Sequence, residues 1–166
     1  MATLSKISPC LWFNGEAEAA AKHYTTIFPN SRILSVDRSP AETPSGPKDM
    51  VLTVMFSLAG QTYIGLNGGS DFKFNESISF SIDCDDQAEV DRYWEALIFG
   101  GGEPSMCGWL KDRFGVSWQV IPRQLPEMLE SPDREAAARA MEAMMKMNKI
   151  EVQQLEEAFK AVPAGR

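Results

Sequence analysis

KISPCLWFNGEAEAAAKHYTTIF, residues 6–28, returns in outline as SISFSIDCDDQAEVDRYWEALIF, residues 77–99. The offset is 71 residues: Ile7-Ser8 recurs as Ile78-Ser79, Ala17-Glu18 as Ala88-Glu89, and Ile27-Phe28 as Ile98-Phe99. Each copy opens on strict alternation, the mark of a strand. In residues 6–13, Ile7, Pro9, Leu11 and Phe13 share one face, and Ser8, Cys10 and Trp12 share the other. Pro9 has no N–H to donate, which favours an edge or irregular strand. A polar break follows, Asn14-Gly15 in the first copy and Asp85-Asp86 in the second, each suited to starting a helix. Residues 16–28 then place Ala17, Ala20, Tyr24, Ile27 and Phe28 on one helical face, and residues 87–99 do the same with Val90, Tyr93, Trp94, Leu97 and Ile98. A chain made of two copies of one strand–helix unit has few ways to fold, and its ligand site is expected where the copies meet.

Strands continue the pattern at 32–38, 50–58 and 61–67. The last two form a hairpin through Ala59-Gly60, and a Pro-rich loop covers 39–48. Gly68-Gly69-Ser70 reads as the linker between modules. After the second helix, Gly100-Gly101-Gly102 stops the chain, and strands follow at 105–111 and 116–122 around a turn that closes on Gly115. Beyond Pro122 the period becomes helical, over 124–130, 133–147 and 151–161. Pro132 suits the second of these helices, and Met141, Met144 and Met145 form a stripe fit for helix packing or a dimer face. The expected boundaries are a first βαβββ module over 1–69, a second over 70–123 and a helical tail over 124–166, together one structural domain.

With 44% hydrophobic and 23% charged residues the chain is an ordinary globular one. The net charge of -7, without a basic stripe, disfavours nucleic acid and anionic membrane as partners. No apolar run nears the roughly 20 residues of a membrane span. Met1–Lys6 lacks a signal pattern, so a cytoplasmic location is expected. Cys10, Cys84 and Cys107 include no CxxC and read as reduced thiols.

Several stretches carry a resemblance: Pro9-Cys10-Leu11-Trp12-Phe13, Ile27-Phe28-Pro29-Asn30-Ser31, Val90-Asp91-Arg92-Tyr93-Trp94 and above all residues 107–119, CGWLKDRFGVSWQ. The chain resembles the vicinal oxygen chelate superfamily of glyoxalases and bleomycin-resistance proteins. Within it, the chain is similar to the PhnB-like group catalogued as 3-demethylubiquinone-9 3-methyltransferase domains. The resemblance implies an α+β fold in which two βαβββ modules pair into a curved mixed sheet around a cavity, with a C-terminal helical tail. It also implies a homodimer.

Metal-dependent relatives hold a divalent ion with four ligands, on the first and last strands of each module. Those positions fall here on Ser8, on Ile64 or Gly65, on Ser79 and on Gln119. Serine hydroxyls and one amide are poor ligands for such an ion, so no metal is expected. The methyltransferase name implies S-adenosylmethionine, yet no glycine-rich turn lies between a parallel strand and a helix, so no cofactor is expected. His23 reads as a helix residue beside Tyr24 and Cys10 as an inert thiol. Asp112-Arg113 reads as an ion-paired turn. The expected ligand-binding residues are Cys10, Trp12, Asn67, Ser79, Ser81, Asp83, Trp109 and Gln119, with Asn67 and Trp109 at the rim. The first functional reading is a metal-free protein that binds a small, aromatic or polar molecule. The alternatives are a metal-independent enzyme, a methyltransferase included, drawing its acid or base from Asp83, Cys10 or His23, and a structural dimer.

Overall fold

The computed structural model describes residues 6–161, so the signal reading of Met1–Lys6 falls, apart from Lys6, outside the described residues. The chain divides into two compact units, one running through Phe74 and the other from Asn75. Both have the same element order and the same sheet topology.

The first unit contains β1 (Cys10–Phe13), α1 (Ala17–Ile27), β2 (Arg32–Arg38), β3 (Val51–Leu58) and β4 (Gln61–Asn67), in the sheet order β1-β4-β3-β2. β1 runs parallel to β4, and the other pairs are antiparallel. The alternation holds in β1, where Leu11 and Phe13 are buried. The strand is nonetheless shorter than the pattern suggests. Pro9 offers only its carbonyl, which accepts from the Ile64 N–H at 2.9 Å. The ladder begins one residue later, and Ile7 is left 86% exposed.

Leu11, Phe13, Val54, Phe56, Leu58 and Tyr63 form the buried sheet face, and α1 contributes Ala17, Ala20, Ala21 and Tyr24. Each large apolar side chain buried in this way contributes about 1.5–3 kcal/mol. Small residues set the helix-to-sheet distance. A Cβ on Gly65 would stand 3.2 Å from the Ala17 Cβ, tighter than ordinary contact. The start of α1 is not capped by Asn14 or Gly15. Asn67, at the end of β4, accepts from the Ala17 N–H at 2.9 Å and donates to the Val51 carbonyl at 2.9 Å.

Gly68-Gly69-Ser70 is not a free linker. The indole N–H of Trp12 donates to the Gly69 carbonyl at 2.9 Å, and Ser45 donates to the Gly68 carbonyl at 3.0 Å. The rings of Phe72 and Phe74 meet Trp12 and Phe13 edge-on at 4.9 and 5.3 Å. Hence the first unit runs on to Phe74.

The second unit contains β5 (Phe80–Cys84), α2 (Gln87–Ile98), β6 (Glu103–Pro104), β7 (Trp109–Lys111) and β8 (Ser117–Pro122), in the order β5-β8-β7-β6. Val90, Tyr93, Trp94 and Leu97 of α2 are buried, as the helical spacing predicts. Asp86 caps the helix by accepting from the Glu89 N–H at 2.9 Å, and Glu89 reaches back to the Asp85 N–H at 3.0 Å. The strand expected over 105–111 is confined to its last three residues, and β6 pairs with it from 103–104, ahead of the expected range. Cys107 and Gly108 donate their amides to the carbonyls of Met147 and Asn148, at 2.8 and 2.7 Å, instead of to a strand.

That exchange makes the tail part of the second unit. The tail contains α3 (Gln124–Leu129), α4 (Arg134–Met144) and α5 (Val152–Lys160). Leu125, Met147, Ile150 and Leu155 form a core cluster against which Ile121 packs. Gln87 of α2 donates to the Ile150 carbonyl at 3.0 Å and accepts from the Val152 N–H at 2.7 Å. The methionine stripe is divided. The buried face of α4 is Ala136, Ala137 and Ala140; Met144 packs on the tail cluster, whereas Met141 and Met145 are exposed.

Candidate functional site

Strand register assembles the candidate residues of the second unit. Trp109 pairs with Gln119, and Gln119 pairs with Ser81. Trp109, Gln119 and Ser81 therefore form one row across β7, β8 and β5. Side chains alternate along a strand, and the buried Leu110, Trp118, Val120 and Cys84 occupy the face that meets α2. The row lies on the opposite face. Ser79, just ahead of β5, joins it: the Gln119 amide donates to the Ser79 hydroxyl at 2.9 Å.

The first unit repeats the geometry with other side chains. Cys10 pairs with Ile64, and Ile64 with Met55. By the 71-residue offset Cys10 is the counterpart of Ser81. The register makes Ile64, not Gly65, the counterpart of Gln119, and Gly65 lies on the helix-packed face. Trp12 pairs with Leu66 in the next row. Over β1, β4 and β3 the Cys10–Ile64–Met55 row is apolar, whereas its counterpart in the second unit carries a hydroxyl, an amide and an indole.

The other predicted residues divide. Asn67 is not at a rim: it is 3% exposed, and its amide bonds to Ala17 and Val51. Its role is to tie α1 to the sheet. Asp83 is solvent-exposed, and Arg123 pairs with it at 3.7 Å and with Asp85. Cys10 is exposed, and partial desolvation moves its thiol upward. Cys84 is buried, and burial pushes its thiol up to about 12. Neither is a poised thiolate. His23 is half-buried on α1, its ring 5.9 Å from that of Tyr24.

Asp112 carries a role the sequence did not reveal. It is 3% exposed, and one carboxylate oxygen accepts from the Phe114 and Val116 amides at 2.8 and 3.0 Å. The other accepts from the Trp118 indole at 2.8 Å. Arg113 lies over the Phe114 ring at 4.7 Å. The turn therefore closes through backbone amides and an indole and aligns β7 with β8. The row beside the first candidate row was also missed. Glu103 pairs with Lys111, and Lys111 with Ser117. Alternation from Trp109 and Gln119 reaches Lys111 and Ser117, but only the register brings in Glu103.

The side chains at the four metal positions do not suit a divalent ion. They are Ser8, Ile64, Ser79 and Gln119, two hydroxyls, an alkyl group and a single amide oxygen, and such an ion needs several imidazole or carboxylate donors. Among the described residues no group of three or more His, Cys, Asp or Glu is placed to hold an ion. The glycines do not form a cradle for S-adenosylmethionine either. A Cβ on Gly68 would stand 2.2 Å from the Trp12 ring, so Gly68 is packed by an indole. Gly102 is packed against the end of α2, where a Cβ would lie 2.8 Å from the Leu97 carbonyl. No helix among the described residues is long and apolar enough to cross a membrane.

Comparison with known proteins follows this geometry. The model of a family described as 3-demethylubiquinone-9 3-methyltransferase matches residues 5–121. Among solved structures, the PhnB protein from Bacillus cereus is similar at 31% identity, with a TM-score of 0.64, over 71% of this chain and 99% of that one. A protein from Pseudomonas aeruginosa shares the fold at 23% identity and a TM-score of 0.59, over 71% and 97% of the two chains. No curated protein matches the chain.

Proposed function

The chain belongs to the 3-demethylubiquinone-9 3-methyltransferase family, of PhnB type, within the vicinal oxygen chelate superfamily, and from that premise we propose that it binds a small molecule without a metal ion. The observation that carries this reading is the row Trp109–Gln119–Ser81 with Ser79. An indole, an amide and two hydroxyls on one sheet face suit a flat ligand with polar edges. Asn67 has no part in the proposed site, because its amide is bonded within its own unit.

A binding protein is favoured over an enzyme because two of the candidate acids and bases are ill-placed for chemistry. Asp83 is exposed and paired with Arg123, and the Cys10 thiol is shifted upward. The methyltransferase reading rests on the family description alone. A thermal-shift screen of the metal-free full chain tests the choice. Stabilisation by flat aromatic compounds, lost in Trp109→Ala, supports binding. Stabilisation by S-adenosylmethionine instead would revive the enzyme. A cytoplasmic homodimer completes the reading.

A further inference from the structure

The second row of the same sheet face, Glu103–Lys111–Ser117, lines a cleft of about 140 Å³ together with Glu76, Pro104, Ser105, Trp109 and Leu110. That is roughly the volume of four or five liquid waters at about 30 Å³ each. Two observations point to an occupant. Ser117 is 2% exposed, and its hydroxyl oxygen is buried without a hydrogen-bond partner. A buried hydroxyl left without a partner is costly, and a polar group in the cleft would relieve that cost.

Charge identifies the kind of occupant. The cleft holds two carboxylates and one ammonium. Lys111 is ion-paired with Glu76, and the Lys111 hydrogen bond holds the Glu76 carboxyl below its ordinary range. Glu103 stands across the strand pair from Lys111, yet it forms no ion pair among the described residues. One negative charge is therefore left over, beside an indole. Carboxylate and indole together attract an organic cation.

We infer that this cleft binds a small organic ammonium carrying a second hydrogen-bonding group, with Glu103 and Trp109 holding the ammonium and Ser117 the second group. The inference rests on the sheet face proposed above, but its polar anchors are different residues. The binding of a flat ligand at Gln119 can therefore fail while this cleft is still occupied.

The experiment is a titration of the ¹⁵N-labelled full chain with ethanolamine, followed by amide and indole shifts. Glycolate, of similar size and opposite charge, is the control. Saturable shifts at Ser117 and the Trp109 indole with ethanolamine, and none with glycolate, are expected. Glu103→Gln lies at an exposed position and should weaken binding about tenfold or more. Ser117→Ala should weaken it several-fold. Absence of saturable shifts overturns the inference, as does equal binding to Glu103→Gln or preferential binding of glycolate. If Ser117→Ala fails to fold, Glu103→Gln alone decides.

Discussion

At the scale of single residues, Asp112 shows how a site is held in shape by a side chain that takes no part in it. Its buried carboxylate gathers two backbone amides and the Trp118 indole, and this fixes where β8 starts and hence where Ser117 and Gln119 point. Asp112→Ala would leave those donors buried and unmet, at a cost of about 2–4 kcal/mol in urea unfolding. A loss below about 0.5 kcal/mol would contradict this role. The sequence displayed Asp112 only as part of a turn ending in Gly115. Its partners include two backbone amides and an indole, which no residue pattern encodes. Asn67 was misread for the same reason: a polar residue at a strand end suggests a rim, whereas its amide serves the first N–H of α1. Ser79, Ser81 and Gln119 were more legible, since alternation along their strands puts them on one face, whereas Trp109 is expected from the sequence only at a rim.

Among elements, the two strand–helix units were legible because alternation and helical spacing act over short distances. The helix faces of α1 and α2 came out nearly residue for residue. The interruption between β6 and β7 was not legible. It depends on Met147 and Asn148, about 40 residues further along, taking the amides of Cys107 and Gly108. The tail's attachment has a pH signature. Lys149 donates to Asp91 at 2.5 Å, and this bond holds the Asp91 carboxyl below its ordinary value of 3.8. A lowered carboxyl stabilises the fold above its unfolded pKa, and the benefit is lost as pH falls through the folded value. The pair is partly exposed, so it contributes about 0–1 kcal/mol. Asp91→Asn should therefore melt slightly below wild type at pH 7, and the gap should close below the ordinary value of 3.8. A gap that widens on acidification would contradict the pairing.

Across the whole molecule, the duplication sets two sheets of one topology and gives them different open faces, Cys10–Ile64–Met55 apolar and Ser81–Gln119–Trp109 polar. The same duplication places serine, Ser8 and Ser79, at both first-strand positions that the family resemblance marks for metal ligands. Several large apolar side chains are left exposed, among them Ile7, Phe72, Ile78 and Phe99. Sedimentation at micromolar concentration is expected to show a dimer, and a monomer would count against that part of the account. The central claim is small-molecule binding without a metal. The most direct measurement is ligand-observed NMR on EDTA-treated full chain with a library of flat aromatic fragments. The account predicts hits that persist without metal and disappear in Trp109→Ala. Hits that appear only after Mn²⁺ or Zn²⁺ is added, or that survive Trp109→Ala unchanged, would contradict it.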